Sequence, residues 1–92
     1  MKIVEEYENF QADVIEIKSA TYIGDYAIKI VFGNGVNRLV DFKPFLESSL
    51  HPSIRVYLDE IRFRQFKIVD GNLNWNDYDM IFPVYDLYAG KL

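Results

Sequence analysis

Between Phe66 and Trp75 the chain alternates through Lys67-Ile68-Val69, meets Asp70-Gly71, and resumes as Asn72-Leu73-Asn74 before the only tryptophan. Alternating apolar residues on both sides of a dipeptide that favours positive φ predict an antiparallel hairpin. Trp75 is then a large side chain leaving the last strand, expected to pack against a core. This stretch constrains a fold and contains no reaction centre.

The preceding residues extend the pattern. Val14 to Tyr22 is β-branched, with Ile15 and Ile17 on one side and Glu16 and Lys18 on the other, and reads as a strand. Gly24-Asp25 supplies a turn, after which Tyr26, Ile28, Ile30 and Phe32 share one face of a second strand. Gly33-Asn34-Gly35 tolerates positive φ and reverses the chain into a third strand, Val36 to Phe42, completing a meander. Pro44 ends that strand near Asp41 or Phe42 and allows a helical turn through Phe45-Leu46. His51-Pro52 opens the strongest helical pattern, with Ile54, Tyr57, Leu58 and Ile61 at i, i+3, i+4 and i+7. Phe63 to Val69 returns to alternation. Asn76 to Leu92 reads as irregular chain with a short turn at Asp86-Leu87-Tyr88. The expected fold is α+β: a small antiparallel sheet of about five strands, a meander plus a C-terminal hairpin, covered on one face by one main helix.

With 92 residues the chain is expected to form a single domain, 1–92, with 1–12 as a peripheral segment. A domain of that size buries roughly 60 to 65% of the surface exposed by its unfolded chain. Half the residues are hydrophobic and 16% aromatic, which suits a packed globule. The absence of cysteine rules out disulfides, thiolate metal sites and a cysteine nucleophile. No run approaches the ~18 apolar residues of a membrane span, and the N-terminus lacks a signal-peptide pattern. The expectation is a cytoplasmic protein with no membrane partner.

A formal net charge of −4 disfavours nucleic acid, whose binding is driven by phosphate neutralisation on a basic surface. Acids gather at both ends, while Arg55, Arg62, Arg64 and Lys67 lie between them, where a modest basic patch or a solvated face are the alternatives. Asp70-x-Asn72-x-Asn74 has the spacing that begins a calcium loop. Its sixth position is Trp75 instead of glycine and its twelfth is Ile81 instead of glutamate, so turn chemistry is the preferred reading. Asp77 and Asp79 are a carboxylate pair suited to acid–base work, or to capping backbone amides in their loop. His51 is the sole histidine and sits at an expected helix start. No nucleophile elbow, phosphate loop or zinc motif is present, and no catalytic residue, metal or cofactor is expected.

The order Phe32-x-x-Gly35, Val40-Asp41-Phe42-x-Pro44-Phe45-Leu46, Phe63, Gly71-Asn72-Leu73-Asn74-Trp75, Asp79, Pro83 and Leu87-Tyr88 resembles the bacterial family domain of unknown function 2442 from about Asp13 to Tyr88. Common members carry Pro and Gly after the tryptophan, where this chain has Asn76-Asp77. The resemblance implies a small α+β fold with an antiparallel sheet and one main helix. Many members are encoded beside another small protein, an arrangement that looks like a toxin–antitoxin or other paired operon. Others are fused to a helix-turn-helix segment, which is not expected in this sequence. The family supplies no catalytic residues, so Trp75, Asp79 and Tyr88 enter only as motif positions.

The leading expectation is a non-enzymatic interaction module, contacting a protein partner through a sheet edge or the aromatic C-terminal segment, with a homo-oligomer left open. Its candidate surface combines Trp75, Asp79, Tyr85 and Tyr88 with Arg55 and Arg62. The alternatives are a small enzyme using Asp77, Asp79 or His51, and a nucleic-acid-associated regulator.

Overall fold

A computed structural model describes residues 15–76 and 78–90. Expectations at Val14, Asp77 and the peripheral segment 1–12 lie outside the described residues. The architecture is α+β, in two three-stranded antiparallel sheets with short helices between and after them.

The meander comprises β1 (Ile17–Gly24), β2 (Ala27–Phe32) and β3 (Asn37–Asp41), in that spatial order. Its first turn is centred on Asp25 (φ +52°) and Tyr26 (φ +64°), one residue later than the Gly24-Asp25 turn expected from sequence. A tyrosine in the left-handed region carries backbone strain. Compensating contacts hold it: the Tyr26 hydroxyl donates to the Leu58 carbonyl, its backbone N–H donates to the Tyr22 hydroxyl at 3.2 Å, and its ring meets Phe63 edge-on at 5.3 Å. At the second turn Gly35 adopts φ +90°, while the Asn34 side chain accepts from Val36 N at 3.1 Å.

The connection carries α1 (Lys43–Ser48), α2 (Pro52–Arg55), a 3-10 turn (Val56–Leu58) and α3 (Glu60–Phe63). The single main helix expected over this stretch is thus divided. Asp59 is extended (φ −73°, ψ 113°), and its carboxylate accepts from Ile61 N at 3.1 Å. A short acidic side chain competing for backbone donors ends one helical run and caps the next. The break rotates the apolar stripe: Tyr57 is buried, Ile54 and Leu58 are half-buried, and Ile61 is 70% exposed. Phe63, expected to begin a strand, closes α3 inside the core.

β4 (Lys67–Val69) and β5 (Asn72–Trp75) form the expected hairpin through Asp70-Gly71, and β6 (Met80–Ile81) adds a third strand. α4 (Val84–Ala89) follows where irregular chain was expected. Its Tyr88 packs edge-on against Phe32 at 5.0 Å, accepts from Asn34 Nδ2 at 3.1 Å, and offers its carbonyl to Arg38 Nε at 2.8 Å.

The five strands expected in one sheet therefore belong to two. They meet where Glu16 and Ile17 cross the second hairpin, with Ile17 N donating to Gly71 O at 2.9 Å and Gly33 N donating to Glu16 O at 2.8 Å. Ile28, Ile30, Phe32 and Val40 of the first sheet and Leu73, Trp75 and Met80 of the second contribute to one hydrophobic cluster. Phe42 lies between them, 5.6 Å from Phe63, 5.7 Å from Trp75 and 5.1 Å from Phe82. No helix among the described residues is long and apolar enough to cross a membrane.

Candidate functional site

A groove of about 1080 Å³ runs between the Val56–Phe66 segment and the β4–β5 hairpin with its following loop. The Asp59 break makes it. Restarting the helix there turns Ile61 outward, and Val56 (41% exposed) and Tyr78 (49%) join it as large apolar side chains left in solvent. Charges of both signs flank them, Arg62 and Lys67 against Asp59 and Asp79. Arg62 Nε lies 3.7 Å from Asp59 Oδ2, an exposed pair of small energetic weight.

The groove also contains Asn74, the one polar residue that is buried among those described. Its register opposite Lys67 and Ile81 puts it on the outer face of the second sheet, where Tyr78 reaches it. Asn74 Oδ1 accepts from Tyr78 N at 2.6 Å. Beside it, Asp79 Oδ2 accepts from Asn76 Nδ2 at 3.2 Å and from the Tyr57 hydroxyl at 3.4 Å. Burial, followed by the negative charge of Asp79, raises the Tyr57 pKa above the ordinary phenol value, so its hydroxyl remains a donor at neutral pH.

The residues expected at an interaction surface disperse. Trp75 is fully buried beneath the groove, correcting its place on that surface; its Nε1 donates to Phe63 O at 2.8 Å and its ring meets Tyr57, Phe66 and Phe82. Asp79 and Arg62 line the groove. Tyr85 is 53% exposed on α4, whereas Tyr88 is half-buried in its clasp with Phe32, Asn34 and Arg38. Arg55 points back to the end of α1, donating to Glu47 O at 3.0 Å and Ser49 O at 3.2 Å. Arg64 lies over the Tyr22 ring at 5.6 Å. Of the four basic residues grouped by sequence, only Arg62 and Lys67 reach the groove.

The calcium-like spacing is used by the backbone. Asp70 forms the turn at φ +52°, Asn72 Nδ2 donates to Asp70 O at 3.2 Å, and Asn74 holds Tyr78. Among the described residues no three acidic or histidine side chains gather where they could hold a metal. His51 occupies the N-cap position of α2 with no side-chain capping bond. Asp77, half of the proposed carboxylate pair, lies outside the described residues.

Sequence periodicity missed Ile61 as a groove residue because it placed the whole stripe in the core, and Val56 because it lies off that stripe. The signal that could have found them is Asp59-Glu60, a helix-start pair inside an otherwise helical pattern. Asn74 had no comparable signal, since its burial depends on a loop.

No curated protein and no solved structure matches the chain. The model of one family, described as protein of unknown function (DUF2442), matches residues 17–92, and within that span lie both sheets and every residue of the groove. The chain belongs to the DUF2442 family.

Proposed function

We propose that this protein is a non-enzymatic interaction module of the bacterial cytoplasm whose groove receives an extended segment of a second protein. The observation that carries the reading is the groove itself: exposed Val56, Ile61 and Tyr78 stand over a buried Asn74. Exposed apolar side chains grouped about a concave surface are characteristic of recognition sites. An extended segment presents what the groove complements, an apolar side chain for Ile61 and Val56. Lys67 and Arg62 on one hand, Asp59 and Asp79 on the other, favour a segment carrying both charges. Asp79 supports this over acid–base chemistry, because its carboxylate already engages Tyr57 and Asn76. The partner to examine first is a protein encoded beside this one, the paired-operon arrangement that the family resemblance implies.

The test compares tagged wild type, Ile61→Asp and Leu50→Asp, the last at a site 91% exposed and outside the groove. A protein recovered stoichiometrically with wild type and Leu50→Asp is expected to bind Ile61→Asp at least about tenfold more weakly by calorimetry with purified components, the scale of an interface hot spot. Equal binding by Ile61→Asp overturns the groove assignment.

A further inference from the structure

We propose that two copies of this chain pair through β3, in antiparallel register about a two-fold axis at Leu39, joining their first sheets into one of six strands.

The argument begins with how the sheet edges are protected. An edge strand exposes unpaired N–H and C=O groups, and monomeric proteins blunt such edges by bulges, shortness, charge or a covering segment. Three of the four edges follow this rule. β1 shifts register between Ile17 and Ser19 and again between Tyr22 and Gly24. β4 has three residues, with Glu16 lying across its turn, and β6 has two. β3 is different in length and regularity: five residues, an unbroken register with β2, and Leu39 67% exposed at its centre, with α4 packed on its Arg38 side and charges only at Arg38 and Asp41.

The backbone of β3 is aimed correctly for a second strand. Phe32 N bonds Val36 O and Phe42 N bonds Tyr26 O, both at 2.9 Å, which fixes the phase of the ladder at its two ends. By antiparallel alternation Arg38 and Val40 turn their backbone groups toward β2, leaving those of Asn37, Leu39 and Asp41 facing outward. Asn37 O accepts from Arg38 Nη1 at 3.2 Å and retains a second lone pair. A two-fold axis at Leu39 brings these three outward-facing residues into hydrogen-bonded pairs: Leu39 with its own copy, and Asn37 with Asp41 in each direction.

Side-chain chemistry selects a second copy over an unrelated strand. About Leu39 the sequence Asn37-Arg38-Leu39-Val40-Asp41 is self-complementary. An amide donor faces a carboxylate, leucine faces leucine, and Arg38 faces Val40, so no like charges oppose one another. Arg38 is drawn away from the axis, with its guanidinium 5.2 Å from the Tyr88 ring centre and Nε bonded to Tyr88 O. β3 contributes no residue to the groove, so this pairing and the partner site are independent.

Two measurements on the full chain test it. The protein contains no cysteine, so Leu39→Cys introduces a lone thiol, and Cα atoms of a hydrogen-bonded antiparallel pair lie about 5.5 Å apart, within disulfide range. Under oxidation by diamide it is expected to become a covalent dimer at least about tenfold faster than Ile23→Cys, an exposed position on the bulged edge. Sedimentation equilibrium should show a concentration-dependent dimer for wild type and Ile61→Asp. Leu39→Lys, placing like charges at the axis, should raise the dissociation constant by about tenfold or more. A wild-type monomer up to millimolar concentration, or equal cross-linking at Leu39→Cys and Ile23→Cys, overturns the proposal.

Discussion

Trp75 shows how one side chain can join two parts of a molecule. Its indole N–H supplies the donor that the Phe63 carbonyl at the end of α3 would otherwise lack, and its ring contacts aromatics from α1's entry, α3 and the segment before α4. Trp75→Ala empties a large buried site and leaves a buried carbonyl unpaired, so chemical denaturation should show a loss of about 3 to 5 kcal/mol. Trp75→Phe should lose less, retaining ring contact while still orphaning Phe63 O. A loss below about 1 kcal/mol for the alanine variant, typical of surface positions, would contradict its burial. The inward direction of Trp75 was readable because alternation after a tight turn assigns faces. The destination of Arg55 was not. Sequence grouped it with other cations, but its partners are backbone carbonyls at Glu47 and Ser49, which no charge pattern registers.

Among the elements, the β4–β5 hairpin was the most legible, because Asp70-Gly71 meets a local demand: two consecutive residues at positive φ, +52° and +78°. The turn also touches distant chain. A Cβ added to Gly71 would stand 2.9 Å from both Cβ and Cγ of Glu16, so the glycine permits the first strand to cross the hairpin as well as forming the turn. Gly71→Ala is therefore expected to destabilise by about 1 to 3 kcal/mol in denaturant titration. Gly35→Ala, also at positive φ (+90°) but with no atom within 4 Å of the new Cβ, should cost less. Equal losses would show that backbone conformation alone sets the requirement. The helical region was less legible. Spacing of 3.6 residues locates apolar positions without saying whether hydrogen bonding is continuous, and Asp59 interrupts it at the point where the stripe would otherwise bury Ile61.

At the scale of the molecule, α+β character followed from strand and helix periods, whereas the division into two sheets did not, because alternation says which face a residue takes and not which strand becomes its neighbour. The two sheets nevertheless line one aromatic interior, with Phe42 entering from the first and Trp75 from the second. Neither half retains that packing alone. Urea unfolding followed by Trp75 fluorescence and by far-ultraviolet circular dichroism should consequently give coincident transitions. Separated midpoints would show that the sheets unfold independently. The clasp of α4 on the first sheet carries a consequence for synthesis on the ribosome. Ile28, Ile30, Phe32 and Val40 are translated early, but the side chains that cover them, Phe63, Trp75, Leu87 and Tyr88, emerge late. A nascent meander must wait with its apolar face uncovered until α4 leaves the exit tunnel, and during that interval the unfinished chain is exposed to aggregation.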